Sequence, residues 1–241
     1  GAGINIASFF ANGTTEAGAG EILVSAMDTS RSNLHGGELE ESQTFILPDV
    51  DGSGKLRKQN HAEISAAIQQ MLVKQPAEEF NIVCFSASGG SGSVIGPLLV
   101  SELLARKHAV VAVVIGSEES FITAQNTLNT LKSLEAIALK NSAPVVMSYA
   151  HNRKDASRGD ADTYARFAIA SLSVLALGLI DEMDTQDIAN FLQYQRVTSA
   201  PARLAALTIV KDPQALSEIT NVIALANILD KEGEFASPIT P

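Results

Sequence analysis

An apolar run at residues 80–85 passes through Ser88-Gly89-Gly90-Ser91-Gly92-Ser93 into a helical pattern at residues 94–105. No other stretch constrains the fold as tightly. Residues with so little side-chain bulk let several backbone N–H groups converge on one anion, the following helix adds the positive end of its dipole, and serine hydroxyls donate as well. A tight strand-to-helix turn needs the same glycines for close packing alone, so the loop by itself leaves both readings open.

Short β-rich runs alternate with helical patterns along the rest of the chain. Strands are expected at 22–27, 44–47, 81–85, 109–115 and 145–149, most of them nearly continuous apolar runs, as parallel strands covered on both faces require. Helices are expected at 4–11, 60–73, 94–106, 122–140 and 160–179, the last a long central helix. This alternation predicts an α/β fold with a Rossmann-like, doubly wound, mostly parallel sheet whose ligands sit at the carboxyl ends of its strands. Gly1-Ala2-Gly3-Ile4-Asn5 is itself a glycine turn entering a helix, so a first strand is expected to precede it. Its spacing does not complete the dinucleotide fingerprint, because the third glycine would fall at Ile6. Gly52-Ser53-Gly54-Lys55 looks like part of a P-loop, but Leu56 removes the hydroxyl that would hold magnesium, and the segment reads as a solvated loop.

Composition narrows the partners. With 241 residues, 46% hydrophobic and 18% charged, the chain can bury a sizeable core in one large or two modest domains. A formal charge of −10 argues against direct binding to nucleic acid or to anionic membranes, which takes a basic surface. Cys84 is the sole cysteine, which rules out an intrachain disulfide or a cysteine zinc cluster and points to a reducing cytoplasm. The longest apolar stretch, 167–180, is short for a bilayer span and reads as a buried helix. His35, His61, His108 and His151 lack metal-ligand spacing, so no protein metal site is expected, and no Ser–His–Asp set can be assigned.

Beyond the central helix, Asp181-Glu182-Met183-Asp184-Thr185-Gln186-Asp187 forms an acidic turn before a helix expected at 188–195. Asp184 suits the N-cap and Asp187 the third helical position, and capping alone accounts for acids there. A strand at 204–210, a helix at 213–229 and a polar end at 231–241 read as the start of a partial second α/β domain. The expected division is a binding domain at 1–158, the central helix at 159–180 and an incomplete second domain at 181–241.

The segment from Phe80 to Leu98 resembles the strand, phosphate loop and helix of the tubulin/FtsZ superfamily, most nearly its phage-encoded branch, PhuZ. The signature is a small residue, two glycines, threonine, glycine, a small residue and glycine. Ser88, Gly89, Gly90, Gly92 and Ser93 fit it, Ser91 replaces threonine while keeping a hydroxyl, and Val94 departs from the last glycine. Other loops follow in the family's order. Gly1, Ala2 and Gly3 resemble its first glycine loop, with Asn5 reaching toward the nucleotide; Asp28 with Thr29 resembles the second; 52–60 takes the place of the third. Glu119 falls where the family places an acidic ribose contact, Asn126 follows nearby, and Asn152 resembles the asparagine that reads the guanine edge with its paired donor and acceptor. Asp184 and Asp187 match the catalytic carboxylates that enter a neighbouring subunit's pocket and position water. Tyr164 and Phe167 lie on the helix where the family stacks an aromatic on guanine, with core packing as the other reading.

The resemblance implies a GTPase that assembles with itself, head to tail, into filaments. It further implies GTP/GDP and Mg2+ as cofactors, hydrolysis at the inter-subunit interface, and a role in positioning phage DNA, the replication compartment or capsids in the host bacterial cytoplasm. Two other classes share the residues. A Rossmann-type oxidoreductase would use Asp28 as its ribose contact, and a non-hydrolysing nucleotide-binding interaction protein would share the pocket without needing Asp184 or Asp187.

Overall fold

The computed structural model describes residues 2–11, 22–31, 39–47, 50, 60–153, 158–177, 183–210 and 213–226. Gly1, the expected third loop at 52–59 and the polar end at 231–241 lie outside the described residues. In chain order the elements are α1 (Ala2–Ala11), β1 (Ala26–Asp28), β2 (Thr44–Ile46), α2 (His61–Lys74), β3 (Phe80–Ser86), α3 (Gly92–Ala105), β4 (Ala109–Ser117), α4 (Phe121–Asn141), β5 (Val145–Asn152), α5 (Arg158–Ala176), α6 (Thr185–Leu192) and β6 (Leu204–Ala206). β3, β4, β5 and β6 form one all-parallel sheet in that order, and β1 pairs in parallel with β2 as a separate ribbon.

The apolar runs read as two-sided strands, and they are. Along β4, Val110, Ala112 and Val114 join one core cluster, while Val111, Val113 and Ile115 join another on the opposite face. The first cluster packs the sheet against α2, α3 and α4 through Ile68, Val100 and Leu134. The second packs it against α1, α5 and α6 through Ile6, Ile169 and Ile188. Period-two side chains thus feed two helical layers, which is the doubly wound arrangement. Tyr164 packs on the second cluster, in keeping with a core role. Among the described residues no helix is long and apolar enough to cross a membrane.

Three elements differ from expectation, each for a physical reason. The strand expected at 22–27 is β1 only from Ala26, because among the described residues no strand lies beside 22–25 to share a ladder. The strand expected at 204–210 is only Leu204–Ala206, and it pairs with Val145–Met147 at the edge of the main sheet, with Leu207 donating one more bond to the Met147 carbonyl. The helix expected at 213–229 is a short 3-10 turn, Pro213–Glu218. Asn221 at φ 57° adopts a left-handed conformation that a continuing helix cannot accommodate.

Candidate functional site

The carboxyl ends of β1, β3, β4 and β5 meet at one pole of the sheet. Register brings them level: Ser86 lies opposite Ile115, and Ser117 opposite Asn152. Between β3 and α3 the serine–glycine loop turns across this pole. Its carbonyls are tied from behind. Thr130 Oγ1 donates to the Ala87 carbonyl at 3.1 Å, Asn126 Nδ2 donates to the Ser88 carbonyl at 3.1 Å, and Ser93 Oγ donates to the Gly90 carbonyl at 3.0 Å. A planar peptide whose carbonyl is held on one side turns its N–H to the other. The first amides of a helix have no partner inside it, so α3 adds its own donors to the loop's.

The glycines are needed here for close approach. A Cβ on Gly92 would stand 3.0 Å from the Ser86 carbonyl oxygen, and one on Gly3 would stand 2.9 Å from the Cys84 carbonyl oxygen. Any side chain at either position would push a helix start away from β3. α3 also lies so close to the strand that a Cβ on Gly96 would enter the Phe85 ring.

The second loop is clamped to the first. Asp28 Oδ1 accepts from the backbone N–H groups of Thr29 at 2.7 Å and Ser30 at 3.3 Å, forming an Asx-type turn. Thr29 is fully buried, and its Oγ1 lies 2.5 Å from Ser91 Oγ. Ala2, Gly3, Asp28, Gly89, Gly90 and Gly92 consequently share the mouth of one cavity of about 1320 Å3, which Ser91 also lines. Ser88 stands just behind, with its hydroxyl 3.0 Å from that of Ser86.

The remaining expected residues fall into three groups. Glu119 follows the end of β4, where it is exposed and its N–H donates to Ser117 Oγ. Asn152 ends β5 beside Ser117, with Oδ1 buried and lacking a hydrogen-bond partner. An orphaned acceptor at the rim of this pole suits a ligand that donates. Asn126 is buried behind the loop and braces it, and Asn5 is exposed on α1. Asp184 and Asp187 do not join the mouth. Asp184 caps α6, accepting from the N–H groups of Gln186 at 2.8 Å and Asp187 at 2.9 Å, while Asp187 Oδ2 accepts from the Asp184 N–H at 3.3 Å. α5 leaves the carboxyl pole after β5 and its 19 residues cover about 27 Å, so the acidic turn that follows it belongs to the opposite pole. Leu204, soon after α6, pairs with Val145 at the amino end of β5 and marks the same pole.

Two shifts describe the interior. Burial, and then the Asp162 carboxylate, push the Cys84 thiol up to about 12. Burial, reinforced by Glu118, raises the Tyr149 hydroxyl above its ordinary range; Gly116 leaves the room that this hydroxyl occupies.

No protein-family model matches the chain. Over 200 residues it is 31% identical to the phage tubulin-like protein of Pseudomonas phage PhiPA3, across 81% of this chain and 64% of that protein. It superposes on the TubZ protofilament of bacteriophage PhiKZ with a TM-score of 0.81 at 30% identity, covering 91% of this chain and 68% of the other. The chain belongs to the phage tubulin family. A GDP-bound structure of the phage tubulin PhuZ gives a TM-score of 0.80 at 25% identity, over 93% of this chain and 69% of that one. This phage tubulin thus spans 64% of the length of its PhiPA3 relative.

Sequence reasoning missed the braces of this tubulin's loop. Thr29 reads only as part of the second loop and Thr130 carries no motif, yet α4 buries Thr123, Asn126, Thr127 and Thr130 on the face it turns to the sheet. Buried polar side chains need partners, so a polar stripe on an otherwise core-facing helix beside a glycine loop is the signal that would have found them.

Proposed function

We propose that this phage tubulin binds GTP in the loop cradle and hydrolyses it when a second copy, stacked head to tail, brings its acidic turn to that cradle. One observation carries the reading: the phosphate cradle and the Asp184–Asp187 pair lie at opposite poles of the same sheet. Stacked copies therefore juxtapose what a single copy keeps apart. The known relatives support it, since those solved include a protofilament and a filament. Within one copy, the amides of residues 89–93 and the dipole of α3 neutralise phosphate charge, and Asn152 offers its unpartnered Oδ1 to the guanine edge. Glu119 holds the ribose. Across the interface, Asp184 and Asp187 orient water, because phosphoryl transfer gains chiefly from positioning and charge neutralisation. Mg2+ fits as a nucleotide-borne ion, since it is usually held by substrate phosphates with one or two carboxylates rather than by a protein cage. Residues 1–158 act as the nucleotide-binding part, with 159–180 as the central helix and 181–241 opening the activation part. In the host cytoplasm, the filament positions phage DNA, the replication compartment or capsids.

The test is GTP turnover measured against protein concentration alongside light scattering. Turnover per chain that rises cooperatively as scattering appears supports the proposal. Turnover independent of concentration, or displacement of GTP by NAD, overturns it.

The braces make a separate prediction. Thr130→Val removes the donor to the Ala87 carbonyl without touching the cradle's inner surface, and Asn126→Ala does the same at Ser88. Each is expected to destabilise the fold by about 1 kcal/mol and to weaken GTP binding by roughly 5–10-fold, read by thermal unfolding and nucleotide titration. If Asn126→Ala weakens binding far more than Thr130→Val, Asn126 touches the nucleotide as well as the loop.

A further inference from the structure

α3 opens on a serine that could cap it and does not. Ser91 stands at the N-cap, where a serine ordinarily takes an extended backbone and accepts, with its hydroxyl oxygen, from an N–H of the first turn. Two other N-caps show what that takes. Ser120 before α4, at φ −146° and ψ 164°, accepts from the Thr123 N–H, and Asp184 before α6, at φ −88° and ψ 177°, accepts from the Gln186 and Asp187 N–H groups. Ser91 is instead helical, at φ −69° and ψ −53°, and its side chain makes no capping bond.

The hydroxyl is engaged from the other side. Ser91 Oγ lies 2.5 Å from Thr29 Oγ1, and Thr29 is fully buried, with Ser91 as the partner of its hydroxyl among the described residues. A buried hydroxyl without a partner is costly, so Thr29 does not readily let Ser91 go. Thr29 is itself fixed: its N–H donates to Asp28 Oδ1 at 2.7 Å, and the Leu47 N–H donates to the Asp28 carbonyl at 3.1 Å. Ser91 and Gly92 line the cavity, whereas Thr29 does not, so any effect of Thr29 on a ligand passes through Ser91. That effect matters because a capping serine and a phosphate compete for one place. Each sets an oxygen against the opening amides and the positive dipole end of α3. Gly89 and Gly90 give the loop the backbone freedom to let Ser91 reach the extended capping conformation.

We propose that Thr29 is a positioning residue that holds the Ser91 hydroxyl off the start of α3 and so keeps the cradle open to phosphate. This role rests on the phosphate cradle proposed above and adds what stops the loop from closing on itself. Nucleotide affinity then scales with the fraction of chains whose α3 is uncapped, and the hydroxyl of Thr29 sets that fraction.

The experiment titrates GDP and guanosine into the 241-residue chain, Thr29→Val, Thr29→Ser and the double variant Thr29→Val/Ser91→Ala, with thermal unfolding to fix the folded fraction of each. Thr29→Val keeps the shape of the buried side chain and removes its hydroxyl, which releases Ser91 to cap α3. It is expected to weaken GDP binding by about 5–10-fold, the worth of one cap, and to leave guanosine, which carries no phosphate, unaffected. Thr29→Ser restores the hydroxyl and is expected to bind GDP within about 2-fold of the parent. The double variant decides the matter. Removing the released competitor is expected to tighten GDP binding by at least about 3-fold relative to Thr29→Val alone. A Ser91 hydroxyl that acted only by touching phosphate gives the opposite sign, so a double variant short of that gain overturns the proposal. Unchanged GDP affinity in Thr29→Val overturns it too, as does an equal loss for GDP and guanosine, which marks general damage to the pole. Thr29→Ala, alone and with Ser91→Ala, supplies the same comparison if valine prevents folding. A parent chain that binds no GDP overturns the cradle itself, whereas a parent that binds GDP beside variants that fail these expectations overturns the role of Thr29 alone.

Discussion

Asp187→Asn is expected to lower assembly-linked GTP turnover by at least about 100-fold while leaving the subunit folded and able to polymerise. The substitution is chosen to separate two roles that coincide at this residue. Asp187 closes a capping box: its Oδ2 accepts from the Asp184 N–H. An asparagine carbonyl can accept the same bond, so the box survives, and only the charge near the start of α6 is lost. That loss costs about 0.3–1 kcal/mol at an exposed helix terminus. A purely structural Asp187 therefore predicts a small drop in thermal stability and unchanged turnover. Carboxylate chemistry at the interface predicts the reverse, with light scattering that decays slowly after GTP addition because hydrolysis no longer destabilises the polymer. Asp184→Asn extends the comparison. It keeps an acceptor for the N–H groups of Gln186 and Asp187, whereas Asp184→Ala forfeits both bonds and costs about 1 kcal/mol. If both asparagine variants turn over GTP at the parent's rate, the acidic turn is a cap and nothing more.

What the sequence revealed about this site followed the strength of its local signals. The strand–loop–helix from Phe80 to Ala105 was legible because its apolar run, glycine turn and helical period all point to one geometry, and α3 begins within two residues of its expected start. The box at Asp184 was legible because N-caps are encoded within four residues. β1 was over-read at 22–25 because apolar alternation reports burial preference, and a ladder additionally needs a neighbour. The helix expected at 213–229 failed because its apolar period runs through Asn221, whose left-handed backbone outweighs periodicity. Asn126 shows the limit of reading site residues by serial order. Position along the chain brought it to the pole, but its buried face, set by the three-dimensional path of α4, turned its amide onto the Ser88 carbonyl. Pairings such as Thr29 with Ser91, 62 residues apart, leave no mark in any short window.

The largest effect on binding is expected at Gly89, and the largest on folding at Gly96, although both are glycines of the same strand–loop–helix unit. A Cβ at Gly89 meets only Ser86 Oγ, at 3.8 Å, and the backbone there lies outside the left-handed region, so valine can be accepted without strain. Its side chain would occupy the cradle that Gly89 lines. Gly89→Val is thus expected to weaken GTP binding by about 100-fold or more with nearly unchanged thermal unfolding, because an apolar branch displaces phosphate from amides that water would otherwise solvate. At Gly96 the geometry is the opposite. A Cβ there enters the Phe85 ring, which is buried in the core between β3 and α3, so neither partner can swing into solvent. Gly96→Val forces the helix off the strand and is expected to destabilise the fold by about 1–3 kcal/mol. The companion Phe85→Leu, which shrinks the ring that Gly96 accommodates, should recover part of that loss when combined with Gly96→Ala; a double variant no more stable than the sum of the singles would refute direct contact as the cause. Comparing the Gly89 and Gly96 variants by denaturant unfolding and nucleotide titration separates a glycine kept for the ligand from a glycine kept for the helix. If Gly89→Val instead unfolds the chain while GTP affinity of the folded fraction is retained, the loop is a packing turn and the phosphate cradle must lie elsewhere.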